Sequence, residues 1–570
     1  MRGPATPDDG SGPLAAGGEA RWLWLAVLAT VLFAWLAGLA ALPPLDRDES
    51  RFAEASRQMV QSGDYIDIRF ASGPRYNKPI GIYWLQSAAA NLTGQARSTQ
   101  VWPYRLPSFL GGCLTLLLVY GCARRFLSAR ASLIAAGLLG TTLLLTAESM
   151  IATTDAALLA CVVAAQSVLL DVYVATRGDK AFVPSRGRLA FGWIAVGVGI
   201  LLKGPVILTV LAVTAIFLSL WDRSWRWLVT VRPVMGAGIV VILVAPWAIA
   251  IGIATHGAFY QQSLGHDFGA KILGGQESHG APPGYYLALA SLTFWPGTLF
   301  LLPALAAAFL RRNEPFVRFL LVWIVSTWLM FELTPTKLPH YILPAYPALA
   351  LLLGVWMEGL RGSPPAKRWL RNLAFVQFGA VAIGIAAACV ILPMKFGGAL
   401  PWSGFAGVLL ALCAAGAAAY QWRQPSRGAV WAMLCASAFY IVLTTAVAPQ
   451  LPRLWLGPRA AALVEASAVP HGAPILLAGF VEPSLVFLLQ GNVQIVSGAA
   501  AANIAADHGG LALVDAPAGR IFVEDLTAHG GRFQSLGAVT GFNYSTGHAM
   551  QLTLYRAVPR PHVSVPQDKR

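Results

Sequence analysis

Charge is scarce in this chain of 570 residues. Charged side chains make up 12% against 56% hydrophobic ones, and the mean hydropathy is +0.60. Soluble globular domains carry about 25% charged residues, so the composition excludes one large soluble globule. Cysteine is scarce too. Cys113, Cys122, Cys161, Cys389, Cys413 and Cys435 all lie inside apolar runs; they offer no disulfide framework and no CxxC metal spacing, and read as small buried residues. Acidic residues are the scarcer sign, 26 against 41 basic ones, for a formal net charge of +15. That balance invites a nucleic-acid reading, but the cations fall mainly in short clusters between apolar runs, as at Arg124-Arg125 with Arg130, Arg311-Arg312, and Lys367-Arg368 with Arg371. Membrane topology produces that distribution. No nucleic-acid partner is expected.

Apolar runs are abundant. Crossing the hydrocarbon core takes about 20 mostly apolar residues in a helix, which alone satisfies its own backbone there. Candidate spans lie near 22–42, 105–122, 131–148, 156–175, 189–202, 205–220, 234–254, 285–309, 316–332, 341–360, 373–392, 403–421 and 429–448. The expectation is an α-helical polytopic membrane protein with about thirteen transmembrane helices filling 21–449. The first run is too long for a signal-peptide core and ends in Pro43-Pro44, so it reads as a retained helix. Residues 1–20, rich in Gly, Pro and Asp, read as a disordered N-terminus.

Charge orients these spans. With a cytoplasmic N-terminus, the even connections hold Arg124–Arg130, Arg177–Arg188, Arg223–Arg232, Arg311–Arg318, Arg361–Arg371 and Arg423–Arg427, all basic and all cytoplasmic by the positive-inside rule. The opposite connections hold mostly single cations: Lys203, Lys271, Lys337 and Lys395. The long first outer loop, 43–104, is the exception, with Arg47, Arg51, Arg57, Arg69, Arg75, Lys78 and Arg97. The rule weakens for long loops, and an anionic ligand gives those cations a reason. Within the loop, Phe52, Ala55, Met59 and Val60 recur at helical spacing, predicting an interfacial amphipathic helix capped by Asp48 or Ser50, with a second helix over Ile82–Leu92. From 450 to 570, short apolar stretches (Ile475–Ala478, Val486–Leu489, Leu511–Val514, Gln551–Tyr555) alternate with turns and predict a periplasmic α/β domain.

The candidate chemistry lies at the outer surface. Asp46-Arg47-Asp48-Glu49 follows the first helix, and Asp155 opens the fourth. Transfer of a glycosyl group needs a carboxylate to orient or deprotonate the acceptor opposite the leaving group. Each acid alone could equally cap the helix it begins. Arg51, Lys78, Lys203, Lys271 and Lys337 are outer cations that could stabilise a departing lipid phosphate, although any one could instead snorkel to headgroups. Lys78 in Asn77-Lys78-Pro79 and Lys203 before Gly204-Pro205 have the least structural excuse. His266-Asp267, Lys271 and His279 share one outer loop without an HxxxH or HExxH spacing, which reads more readily as solvated histidines than as a metal site. Tyr341, in Thr336–Tyr341, could bond a phosphate or belong to the interface belt.

The run Asp48-Glu49-Ser50-Arg51-Phe52-Ala53-Glu54, with Ser62-Gly63-Asp64, Asn77-Lys78-Pro79 and Tyr83-Trp84, resembles the first outer loop of the aminoarabinose transferase (ArnT) family, relatives of the protein O-mannosyltransferases. Thr336–Pro344 resembles the family's later outer-loop motif, and the likeness covers roughly residues 22–450. The resemblance implies a GT-C architecture and inverting transfer of a sugar from undecaprenyl phosphate on the periplasmic side of the bacterial inner membrane. The acceptor would be lipid A, another envelope glycan or a protein. It implies Asp48 and Asp155 as the catalytic acids. It implies donor-phosphate contacts for Lys78, Lys271 and Tyr341, with Lys203 and Arg51 in the same lining; Lys337 and His266 are further substrate-binding candidates from their place in the outer loops. Phe52 stands where a Tyr is common, and Asn77 where a Glu often precedes the Lys. In relatives that Glu pairs with a loop histidine, here His266, at a metal site; with Asn77 in place of the carboxylate no cofactor is firmly implied. A transporter or flippase of lipid-linked glycans would place charges near the midplane and show internal repeats. A scaffold would leave the loop cations unexplained.

Overall fold

The computed structural model describes residues 13–177, 183–263, 281–359, 368–397, 402–420, 422, 424–467 and 475–559. The first helix, α1, covers Pro13–Ala41. Proline suits a first helical position because its missing N–H has no partner there, and Ala15, Ala16 and Ala20 favour the helix that follows. Residues 13–20, expected in a disordered terminus, are therefore helical.

Among the described residues nine helices are long and apolar enough to cross a membrane, or ten if the pair α5 (Ala129–Gly140) and α6 (Leu143–Met150) is one bent span. This is a multi-pass membrane protein. Four of the thirteen expected runs do not form single unbroken helices of that length and apolarity among the described residues, for local reasons. The run 131–148 breaks at Thr141-Thr142, whose hydroxyls bond back to the carbonyls of Gly137 and Leu139, and its halves meet at 62°. The run 285–309 splits around Trp295-Pro296-Gly297 into Tyr285–Thr293 and Thr298–Leu310, because a proline lacks the amide a continuous helix needs. The run 189–202 is a full helix, α8 (Arg186–Lys203), but carries Arg186, Arg188 and Lys203. The run 205–220 is the shorter apolar helix α9 (Val206–Trp221).

At the centre stands α7 (Asp155–Ala175), buried along its whole span. Small residues let neighbouring backbones approach it. Against α4 (Trp102–Ala123), a Cβ on Gly111 would stand 2.6 Å from the Ala157 Cα, so only glycine fits. Over one end of the bundle lie α2 (Asp48–Ser62) and α3 (Gly81–Leu92). Phe52, Ala55 and Met59 on α2 pack with Ile80, Ile82 and Tyr83. The other flank of α2 meets the helix Pro483–Leu488, so protein rather than lipid covers much of this amphipathic helix. Its cap also differs from expectation. Arg47, at φ 64°, is the N-cap and makes no side-chain capping bond. The Ser50 hydroxyl instead donates to the Leu45 carbonyl, and Glu49 accepts from the Leu45 amide at 2.8 Å.

Glu49 and Arg105 form a saturated polar knot at this end. Arg105 Nε and Nη2 donate to the two oxygens of Glu49 at 2.7 and 2.8 Å. Its remaining N–H groups reach the carbonyls of Leu39, Leu42 and Pro43 at 2.9, 2.7 and 3.0 Å. All five guanidinium donors are thereby engaged, three of them on carbonyls where α1 ends. Glu49 Oε1 also accepts from the Ala152 amide at 2.8 Å. One buried ion pair thus joins the end of α1, the start of α2, α4, and the turn before α7.

The C-terminal part is an α/β unit in which β1 (Ile475–Ala478) pairs in parallel with β2 (Val493–Ile495) and β3 (Gly510–Asp515), while β5 (His548–Val558) runs antiparallel to β3 and to β4 (Arg532–Asn543). The order across this five-stranded sheet is β2-β1-β3-β5-β4. Three of the apolar stretches singled out in the sequence are strands; Val486–Leu489 falls largely on the helix Pro483–Leu488. That helix docks the unit. Phe487 sits under the Arg57 guanidinium, 4.7 Å from its ring centroid, and edge-on to Tyr104 at 5.8 Å. Beside it, the Ser484 amide donates to Asp46 at 3.3 Å, and Arg47 Nη2 donates to the Ser545 carbonyl at 2.6 Å.

Two predictions follow the polar contacts. Arg105→Met leaves the Glu49 carboxylate buried and unpaired, at a cost of about 3–5 kcal/mol, read as a lowered midpoint in thermal unfolding of the detergent-solubilised protein; an unchanged midpoint refutes the knot. Burial pushes the Asp46 carboxyl up to about 6, helped by the Glu482 charge, and burial pushes Glu54 up to about 7 despite Arg57. Both docked values lie above the solvated ones of 3.8 and 4.5, so the docked state holds more protons and the contact tightens as pH falls from about 7 towards 4. Hydrogen exchange of the Pro483–Leu488 helix, corrected for intrinsic rates, should slow over that range, and Asp46→Asn with Glu54→Gln should flatten the response.

Candidate active site

The site assembles where α2, α7, α8 and the segment before Tyr346 meet. α7 begins at Asp155 and α8 ends at Lys203, so the acid stands at a helix N-terminus and the base at a C-terminus, each favoured by its helix dipole. Gly204 leaves α8 at φ 69°, a conformation glycine adopts without strain. Lys203 Nζ lies 2.6 Å from Asp155 Oδ1, with both side chains about nine-tenths buried. The Thr154 hydroxyl donates to the other oxygen at 3.2 Å. Lys203 Nζ also lies 5.5 Å from the Tyr341 ring centroid, and His340 meets that ring edge-on at 5.0 Å.

Glu148, near the end of α6, completes this group. It accepts from the Thr153 hydroxyl at 2.8 Å, and its Oε1 lies 4.0 Å from His340 Nδ1. The 62° bend before α6 turns this acid towards the site. The charges of Asp155, Lys203, Asp48 and Lys78 all act on the His340 ring, and those of Asp155, Lys203 and Asp48 act on Glu148. Two segments far apart in sequence, the first loop and the start of α7, therefore share one electrostatic site.

Asp48 is the open member. Its side chain is 59% exposed, and Arg75 Nη2 lies 3.8 Å from its Oδ1. Arg75 is held from behind: its Nε donates to the Tyr83 hydroxyl at 3.2 Å, and its guanidinium lies 5.1 Å from the Phe52 ring centroid. Asp155, by contrast, is occupied by Lys203. The acids differ in availability.

The other sequence candidates divide. Lys78, half-buried, acts on the site through its charge, and Tyr341 lines it. Arg51 is half-buried one turn into α2 and makes no ion pair among the described residues. Lys337 is buried and donates to the Ala281 carbonyl at 3.1 Å, away from the acids. Lys271 and His266, with His279, lie outside the described residues. Among the described residues no group of three or more His, Cys, Asp or Glu side chains could hold a metal ion. Asn77 offers an amide where a carboxylate ligand would be needed, so no step is routed through a metal. Glu148, His340 and Arg75 carried no assigned role in the sequence. The signal for Glu148 was an isolated acid in the apolar run Leu143–Met150; for Arg75 and His340 only proximity in space reveals them.

The architecture defines the class first: a GT-C membrane fold with a C-terminal sheet unit. Two crystal structures of ArnT from Cupriavidus metallidurans, one apo and one bound to undecaprenyl phosphate, share that fold, each with a TM-score of 0.74 at 19% identity. The apo match covers 95% of this chain and 98% of the other. Residues 77–249, from Asn77 through Glu148, Asp155 and Lys203, match the family described as dolichyl-phosphate-mannose-protein mannosyltransferase. The undecaprenyl phosphate-alpha-4-amino-4-deoxy-L-arabinose arabinosyl transferase of Pseudomonas paraeruginosa is 30% identical over 432 residues, covering 72% of this chain and 74% of that one. The protein of that name from a Pseudomonas aeruginosa strain is 30% identical over 433 residues, with the same shares covered. The chain belongs to this arabinosyl transferase family.

Lys203→Met should lower stability by about 3–5 kcal/mol by stranding Asp155 in a buried place, and Lys203→Met with Asp155→Leu should recover most of the loss. Thermal unfolding of the four proteins closes the cycle. Strictly additive losses would show that the two groups do not interact.

Proposed function

We propose that the protein transfers a sugar from a polyprenyl phosphate carrier to an envelope acceptor, at the periplasmic face of the bacterial inner membrane. The reading rests on one observation above all. An exposed carboxylate, Asp48, faces a site whose cations Lys78 and Lys203 come from separate outer segments. The relatives' names supply the donor, undecaprenyl phosphate carrying 4-amino-4-deoxy-L-arabinose, and the acceptor is lipid A, another envelope glycan or a protein. The orientation follows from the six basic connections on the other side, which also puts the C-terminal unit outside. A transporter is disfavoured, since the clustered acids and cations sit at helix ends.

In the proposed step an acceptor oxygen attacks the anomeric carbon from the side opposite the carrier. The new carbon–oxygen bond forms as the bond to the carrier phosphate breaks, with inversion, and the electron pair leaves on a phosphate oxygen. Lys78 and Lys203 stabilise the charge that develops there, and they do so strongly because the site is sheltered from water. Tyr341 and Arg51 complete the phosphate lining, with Lys271 assigned the donor-phosphate contact that the resemblance implies. Asp48 orients the acceptor and takes its proton where the acceptor is a hydroxyl. Asp155 positions Lys203. Lys337 serves the backbone near Ala281.

Asp48→Asn should lower transfer from a labelled undecaprenyl phosphate donor in proteoliposomes by at least about 100-fold with an unchanged unfolding midpoint, because the side chain is exposed. Wild-type rates in that variant would remove Asp48 from the chemistry. Absence of transfer by the unaltered protein over a panel of donors and acceptors would return the question to the transporter reading.

A further inference from the structure

A second charged site lies at the far end of the bundle. α7 leaves Asp155 and ends at Ala175, roughly 30 Å away for its 21 residues. α9 starts beside Lys203 and ends at Trp221, and the helix Pro315–Glu332 starts where those two stop. Between these three ends is a cavity of about 590 Å³, lined among others by Thr176, Arg177, Asp222, Arg226, Trp227 and Arg318.

Asp222 organises its wall. One carboxylate oxygen accepts from the Tyr173 hydroxyl at 2.7 Å and from the Arg177 guanidinium; the other accepts from Arg318 Nη1 at 2.6 Å. Burial opposes ionisation of this acid, but those donors hold its carboxyl below the ordinary value. Three guanidiniums against one carboxylate leave the lining with a charge of +2. Arg226 makes no ion pair among the described residues and is exposed. The knot of Asp222 with Arg177 and Arg318 would be complete without Arg226 and without the space in front of it.

The surroundings indicate what would fill that space. Trp221 and Trp225 are about half exposed, and Val229 and Val234 are 75% and 86% exposed. Exposed tryptophans beside apolar side chains mark the headgroup level of a membrane. The connection carrying Arg226 has non-glycine residues in the left-handed region at both ends, Arg223 at φ 50° and Arg232 at φ 54°, a conformation retained only where surrounding structure enforces it. Planar guanidiniums suit the oxygens of a phosphate, and basic pockets between transmembrane helices take the headgroups of acidic lipids.

We propose that the cavity bounded by Arg177, Arg226 and Arg318 binds a phosphate ester anion of the kind an acidic phospholipid headgroup carries, on the face opposite Asp48 and Lys203. The site does not depend on the transfer reading, and its test reads binding. The full-length protein is placed in phosphatidylcholine nanodiscs containing spin-labelled phosphatidylglycerol or spin-labelled phosphatidylcholine, and the motionally restricted fraction is measured. The protein should retain the phosphatidylglycerol label preferentially, and Arg226→Gln should weaken that retention about fivefold with an unchanged unfolding midpoint, since Arg226 makes no ion pair to lose. Arg318→Gln breaks the bond to Asp222 and risks the fold, so Arg226→Gln decides. In a second arm, inorganic phosphate and glycerol 3-phosphate are added to protein in unlabelled phosphatidylcholine. A raised midpoint that Arg226→Gln abolishes, with no lipid preference, assigns the same site to a soluble phosphate. Equal phosphatidylglycerol retention by both proteins, with no shift from either phosphate, overturns the proposal.

Discussion

The membrane-surface end of this molecule depends on one saturated ion pair. A buried carboxylate and guanidinium are expensive unless every hydrogen-bonding position on both is used. Glu49 and Arg105 meet that condition with the carbonyls closing α1, the amide of Leu45 and the amide of Ala152. Its consequence is positional. Asp48 precedes Glu49, and Asp155 follows Ala152 by three residues, so the two acids of the candidate site hang from opposite sides of one rigid bond set. Neither needs to contact the other to be held in register.

Around that anchor the site uses the ends of helices. Asp155 and Lys203 sit where their dipoles favour them, and they neutralise each other in a setting that would otherwise penalise both. This leaves Asp48 as the acid with a free face. A site in which one carboxylate is occupied and another is open can bind an anionic carrier and still keep a base for the acceptor. That division of labour is what we propose for the transfer. At the other end of α7 the same economy holds, with Asp222 gathering two arginines while Arg226 makes no ion pair among the described residues.

The sequence revealed the spanning helices because about 20 apolar residues admit few other structures. It also pointed to Asp48 and Lys78, in a loop whose cations the charge pattern left unexplained, and to Asp155 and Lys203, charges at the ends of apolar helices. Of the thirteen runs expected to span, a threonine pair bends one and a proline splits another, because apolar composition records length and not continuity. The cap of α2 was misread for a related reason. Asp48 and Ser50 are good capping types, but the Ser50 hydroxyl had a nearer partner in the Leu45 carbonyl. Glu148, His340 and Arg75 were hidden because each takes its meaning from a neighbour distant in the chain. Arg105 left a faint trace, a cation at the start of an apolar helix.

The docking of the C-terminal unit has a reach beyond stability. Asp46 and Arg47 are gripped by Ser484 and Ser545, and Tyr544 accepts from the Asp46 amide at 2.7 Å, immediately before the residue proposed as base. The Asn543–Gly547 hairpin is thus a fine adjustment on the backbone leading into Asp48. An altered hairpin would shift the backbone that carries the proposed base while leaving Lys78 and Lys203 where they are.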